Sequence, residues 1–173
     1  MHIIIDGYNL LGLAGRTGGR PNAEHERESL LRLLSGYRHR KGHALTVVFD
    51  GWQRGLPVET HEHRAGVQVI YSKRGEKADQ VIERLARDYG TECAVVTSDH
   101  EVIRAAEAQG ALIMKAAEFA EKLHASSLAE RSMPHKELAL DEELSTTTRR
   151  EKRGNPRKLP KAARRRSRQL KRF

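Results

Sequence analysis

Short apolar runs alternate with stretches of helical periodicity over the first 130 or so residues. His2-Ile3-Ile4-Ile5 has the pattern of a buried strand, ends on Asp6 and breaks at Gly7. Gly7 is expected to permit a sharp turn there, and a glycine-rich loop is expected from Gly12 to Asn22. Residues 24–41 read as a helix with Leu30, Leu31, Leu33, Leu34 and Tyr37 on one broad face, ended by Gly42. A second strand is predicted over residues 44–49. Asp50-Gly51 then opens a polar loop running through Ala65. A strand over 67–71 and a loop over 72–77 lead to a helix over 78–89, with Val81, Ile82, Leu85 and Ala86 facing inward and Gly90 placed to stop it. A strand over 93–97, a helix from about 100 to 109, a short strand over 111–114 and a longer helix from 116 to about 131 complete the pattern before Met133-Pro134.

Strands that alternate with helices predict an α/β fold with a mostly parallel sheet. Periodicity does not reveal the order of the strands. After Leu144 the pattern dissolves into Thr146-Thr147-Thr148 and repeated Arg and Lys, with Pro156 and Pro160. So few apolar residues cannot offset the chain entropy, which predicts a disordered tail. The expected organisation is a domain over 1–131, a short helical or linker segment over 132–144 and a basic tail over 145–173.

Charge sharpens this division. The 173 residues carry a net +9, with a sequence pI of about 10.0. Residues 145–173 hold 13 Lys and Arg against one acid, Glu151, for a net +12. The remainder holds 19 basic and 22 acidic residues, a net −3. A slightly acidic domain with a basic arm suits a polyanionic partner, of which nucleic acid fits best. The arm lacks Trp and a continuous apolar face, which argues against an anionic membrane. No apolar run approaches the roughly 18 residues of a membrane span, and no secretory signal is visible. The single cysteine, Cys93, begins a predicted buried strand, where core packing is its expected role. It suits a reducing cytoplasm.

The chemistry lies at the strand ends. Three predicted strands run directly into a carboxylate: Asp6, Asp50 and Asp99. Ligands of open parallel sheets bind outside the carboxyl ends of the strands, so these acids are expected on one rim. Asp79 stands in the first turn of a helix, and Glu101 follows Asp99 by two residues. Asn9, three residues after Asp6, is placed to turn its amide toward the Asp6 carboxylate or a metal-bound water. Taken singly, each acid is also what a helix cap or turn requires. Together they predict a divalent-metal site, because gathered carboxylates repel one another unless they hold a cation or share a proton.

These residues resemble a known family. Ile5-Asp6-Gly7-Tyr8-Asn9-Leu10, Val48-Phe49-Asp50-Gly51, Ala78-Asp79-x-x-Ile82 and Thr97-Ser98-Asp99 occur in the order found in the YacP-like branch of the NYN domains, relatives of the PIN-domain ribonucleases. Gln109-Gly110-Ala111-Leu112 and Ala116-Ala117-Glu118-Phe119 are also similar to that branch. The resemblance covers about residues 2 to 125, with the tail outside it. It implies a PIN-like three-layer α/β/α sandwich and an endoribonuclease dependent on Mg²⁺ or Mn²⁺. By the same resemblance Asp6, Asp79 and Asp99 match the metal-binding acids, with Glu101 a looser match. Asn9 matches the family asparagine and Asp50 the acid that ends the second strand. Some members of that branch act on translated mRNA at the ribosome, which makes mRNA and the ribosome the implied partners.

Other signals are weaker. The loop 12–20 lacks the Lys-Ser/Thr ending and the spacing of a P-loop, although Arg16 and Arg20 could touch RNA phosphates. Lys73 and Arg74 offer a further basic pair near the rim. His61-Glu62-His63 lacks the remaining ligands zinc needs and reads as a solvated loop. Ser98 has no evident His-Asp partnership, and an Asp-nucleophile phosphatase would want Asp-x-Asp where Asp6 is followed by Gly7 and Tyr8. In the tail, Arg149, Arg150, Lys152, Arg153, Arg164, Arg165 and Arg166 would neutralise phosphates. Its one aromatic, Phe173, leaves little for base stacking. Two function classes stay open: a metal-dependent endoribonuclease, and a non-catalytic RNA- or ribosome-binding module that keeps the fold.

Overall fold

The computed structural model describes residues 1–13, 23–51 and 57–131. The elements are β1 (His2–Asp6), α1 (Gly7–Leu13), α2 (Ala23–Lys41), β2 (Ala44–Phe49), β3 (Thr60–Arg64), β4 (Val67–Tyr71), α3 (Ala78–Tyr89), β5 (Cys93–Val96), α4 (His100–Ala108), β6 (Leu112–Met114) and α5 (Ala116–Arg131). A single 3₁₀ turn, Gly90–Glu92, links α3 to β5.

The six strands form one sheet in the order β3-β4-β2-β1-β5-β6. All neighbours are parallel except β3 and β4, which form an antiparallel hairpin. β1 lies at the centre, with His2 opposite both Ala44 and Cys93. The chain builds outward from β1 on one side through β2 and β4, then crosses back to lay β5 on the other. The gap between β1 and β5 is thus the topological switch point, where α/β sheets bind ligands.

Alternation along the strands makes two cores. Ile3, Ile5, Val47, Phe49, Val69 and Val96 face α1, α2 and α5, where Leu10, Leu31, Leu34, Tyr37 and Phe119 meet them. Ile4, Val48, Ile70 and Val95 face α3 and α4, against Val81, Ile82, Ala86, Val102 and Ala106. The result is the expected three-layer α/β/α sandwich. Cys93 is buried in the second layer, and burial pushes its thiol up to about 11.

Several local expectations are refined or corrected. Gly7 is the buried first residue of α1, directly after β1, and it makes the strand-to-helix junction without a positive φ. Its role is spatial, because a Cβ there would lie 2.3 Å from Phe49 Cε1. Gly12 and Leu13 also belong to α1; the rest of the expected glycine-rich loop lies outside the described residues. His61-Glu62-His63 is not loop but the middle of β3, an edge strand turned onto β4 through Ala65 and Gly66, both at positive φ. An edge strand satisfies its backbone on one side only and needs no apolar face, so its polar composition conceals it. The expected β5 and β6 runs are each shorter by one residue, as Thr97 and Ala111 fall outside them.

Gly7→Ala should destabilise the domain by about 1–3 kcal/mol through overpacking. Urea unfolding would read this, and Phe49→Leu in the same chain should recover part of the loss.

Candidate active site

β1 delivers Asp6 to the carboxyl end of the sheet, and α1 starts at once, so Asp6 caps it. The Asn9 backbone N–H donates to Asp6 Oδ1 at 3.0 Å. The Thr97 hydroxyl, at the end of β5, donates to Asp6 Oδ2 at 3.2 Å. Both Asp6 oxygens are engaged in a residue only 7% exposed. Burial raises its carboxyl to about 6; the two hydrogen bonds oppose that shift, and the charges of Asp79 and Asp50 add to it.

Thr97 also accepts from the Asp99 N–H at 3.1 Å. Asp99 in turn caps α4, accepting from the Glu101 N–H at 2.7 Å. The Asn9 side-chain oxygen accepts from the Ser98 N–H at 3.1 Å. One connected set of hydrogen bonds therefore ties the end of β1 and the start of α1 to the turn after β5.

The third and fourth acids meet at the start of α3, Asp50 from the end of β2 and Asp79 from the helix itself. Asp50, after β2, accepts from the Ala78 N–H at 2.6 Å and so caps a helix 28 residues further on. Gln80 Oε1 accepts from the Lys77 N–H at 3.2 Å. These groups satisfy the helix start without Asp79, whose carboxylate makes no hydrogen bond among the described residues. Burial and the charges of Asp99 and Asp50 raise the Asp79 carboxyl. Gly51 is required beside this junction: a Cβ would lie 1.9 Å from the Ser72 carbonyl oxygen, and its N–H donates to Ser72 Oγ at 3.1 Å.

The four aspartates thus share one rim and repel one another across it. Asp6 is buried, Asp50 and Asp79 are half-buried, and Asp99 and Glu101 are exposed. Lys73 and Arg74 are exposed on the loop before α3. Arg16 and Arg20, and the tail residues Arg149, Arg150, Lys152, Arg153, Arg164, Arg165 and Arg166, lie outside the described residues. Among the described residues no three acids, histidines or cysteines close around a single point to cage a metal ion. The all-oxygen donor set suits a hard cation held by one or two direct carboxylates and otherwise by water, as Mg²⁺ commonly is.

The family description for the YacP-like NYN domain matches residues 3–170. The chain belongs to this family. The chain is similar to YacP of Bacillus subtilis (strain 168), 34% identical over 123 residues, 68% of this chain and 71% of that protein. A crystal structure of a mutant of Rae1 (YacP) from Bacillus subtilis aligns with a TM-score of 0.62 at 32% identity, covering 75% of this chain and 79% of that one. Another crystal structure of Rae1 (YacP) aligns at 0.58 and 26% identity, covering 76% and 78%. The match to residue 170 corrects one expectation: the basic segment lies within the family's span, not beyond it. NYN domains are relatives of PIN nucleases, so the family carries an RNA-directed nuclease function and generally uses divalent metals.

Sequence reasoning missed the roles of Asp50 and Thr97. Asp50 reaches across 28 residues, and Thr97 across 91. Only the strand order brings these partners together.

The raised Asp6 carboxyl has a signed consequence for stability. Between pH 3.8 and about 6 the folded protein keeps a proton that the unfolded chain has released. Stability from this group is therefore lost as pH rises through that window, by about 3 kcal/mol in total. Asp6→Asn should melt above the wild type at pH 7.5 in the metal-free state, and the gap should close near pH 4. Calorimetry at the two pH values tests this.

Proposed function

We propose that this protein is an endoribonuclease dependent on Mg²⁺ or Mn²⁺, hydrolysing RNA phosphodiester bonds at the acidic rim. The observation that carries the reading is the meeting of Asp6, Asp50, Asp79 and Asp99, from four separate segments, at the switch point of a family fold of nucleases. A bound divalent ion supplies a lowered pKa for the attacking water and charge stabilisation for the leaving oxygen. Asp6, Asp79 and Asp99 are the residues to hold it, with Glu101 beside Asp99. The Asn9 side-chain oxygen is committed to the Ser98 N–H, which leaves its amide N–H groups as donors to substrate. Asp50 acts through the start of α3, fixing where Asp79 stands. Lys73 and Arg74 meet substrate phosphates beside the rim.

In this reading residues 1–131 are the nuclease domain, 132–144 a short helical or linker segment and 145–173 an RNA-binding arm. The substrate is mRNA, met at the ribosome in the cytoplasm. The support is the family resemblance and the +12 charge of the arm. No helix among the described residues is long and apolar enough to cross a membrane.

Cleavage of a labelled RNA, with and without Mg²⁺, Mn²⁺, chelator and ribosomes, tests the reading. Asp6→Asn and Asp99→Asn should each lower kcat by at least roughly 100-fold, beyond what loss of an outer-shell partner typically costs. Cleavage undiminished in excess chelator would sink the metal mechanism. RNA binding without cleavage under every condition would favour the non-catalytic binding module.

Deleting residues 145–173 should leave the melting temperature of the domain within a few degrees of the full chain. RNA affinity should fall, and the loss should be larger at low salt than at high salt, because counterion release drives such contacts. An unchanged salt slope in binding titrations would remove the arm from the account.

A further inference from the structure

Arg27 is a charged residue packed where an apolar one would serve the fold. It lies on α2, and its side chain is 9% exposed. Nη1 donates to the Tyr8 hydroxyl at 3.1 Å, and Nη2 pairs with Glu24 at 2.9 Å. Nε is buried with no hydrogen-bond partner among the described residues. Its ion-pair partner Glu24 is 67% exposed, and such a pair adds little to stability, so neither the pair nor packing accounts for an arginine here. It is too deeply buried to take a substrate phosphate itself.

Tyr8 stands between Gly7 and Asn9 in the first turn of α1. Its ring meets Phe49 edge-on, with centroids 5.3 Å apart. Phe49 is itself pressed against Gly7 and stacked on Tyr71 at 5.8 Å. The ring end of Tyr8 is thus fixed by β2 and the hydroxyl end by α2. α1 has seven residues, too few to hold its own geometry in water. Its first turn must be tied from outside: it carries Asn9, bonded to Ser98, and follows directly on Asp6, bonded to Thr97, so both bonds to the turn after β5 depend on it.

We propose that Arg27 is a positioning residue for the rim, holding the first turn of α1 through the Tyr8 hydroxyl and so setting the Asn9 side chain on the Ser98 N–H and the Asp6 carboxylate beside Thr97. The catalytic consequence rests on the nuclease reading above; the positional claim stands apart from it. The guanidinium anchors on a 19-residue helix, and the hydroxyl transmits that anchor to the rim.

The test uses the full chain carrying Arg27→Met, Arg27→Lys, Tyr8→Phe and the Met/Phe double substitution. Three quantities are measured: melting temperature, hydrogen exchange of the Ser98 and Asn9 amides in the metal-free protein, and kcat and KM on a labelled RNA with Mn²⁺. Arg27→Met is expected to melt at or above the wild type, yet to lose Ser98 amide protection by roughly tenfold. It should lower kcat by roughly tenfold, the scale of an outer-shell loss, with KM nearly unchanged. Tyr8→Phe should reproduce both effects, the double substitution should add nothing, and Arg27→Lys should recover part of each. Unchanged amide protection in Arg27→Met and Tyr8→Phe overturns the positional claim; lost protection with kcat intact overturns its catalytic consequence. If Arg27→Met fails to fold, Tyr8→Phe removes a single hydroxyl and decides the matter alone. If the wild type cleaves no RNA, the nuclease reading falls, while amide exchange still decides the positional claim.

Discussion

The structure depends on one buried carboxylate. Asp6 ends the central strand, and that strand is paired on both sides, to β2 and to β5. It cannot slide without breaking two ladders, so the carboxylate is fixed where the sheet ends. Both its oxygens are bonded, one to the first turn of α1 and one to the residue after β5. Burial without a cation is unfavourable for a charged group, and the neighbouring acids make it more so. Burial and neighbouring charge together keep this carboxyl easier to protonate than an exposed one.

The remaining acids are set by different means. Asp99 is local: it caps the helix it precedes. Asp50 is not, for it caps α3 from the end of β2 and couples that helix to the sheet. Because Asp50 does the capping, Asp79 is spared it. Two acids adjacent in space thus divide the work, one holding the backbone and the other left with its oxygens unbonded among the described residues. Gly7 and Gly51 allow this crowding, since each lies where a side chain would strike a neighbour.

Much of this was legible in the chain, for a physical reason. Ile3–Ile5, Val47–Phe49 and Ala94–Val96 are buried on both faces, so their apolar runs stand out, and the acids that close those strands are visible by position alone. The amphipathic faces of α2 and α3 were equally plain, although Leu33 and Leu85 are only partly buried. α1 was hidden because seven residues containing Gly7 and Gly12 carry no helical period. β3 was hidden because Thr60–Arg64 needs only a backbone partner. The Asp50–Ala78 and Thr97–Asp6 bonds had no signature, since they depend on strand order, which tertiary packing decides. Asn9 was expected to turn its amide toward the Asp6 carboxylate or a metal-bound water; the Asn9 backbone N–H meets Asp6, while the side-chain oxygen accepts from Ser98.

The sheet's two borders are treated unlike its centre. β3 carries His61, Glu62, His63 and Arg64, with Glu59 just before it. Arg64 pairs with Glu62 and Glu28, and His61 with Glu59. β6, at the opposite border, is three residues long. A long apolar border would offer open backbone groups to any other strand and invite runaway stacking of one chain on the next. Charge on one side and brevity on the other discourage such sheet extension. The charged residues that made β3 hard to recognise as a strand are also those that discourage a second strand from pairing with its open side.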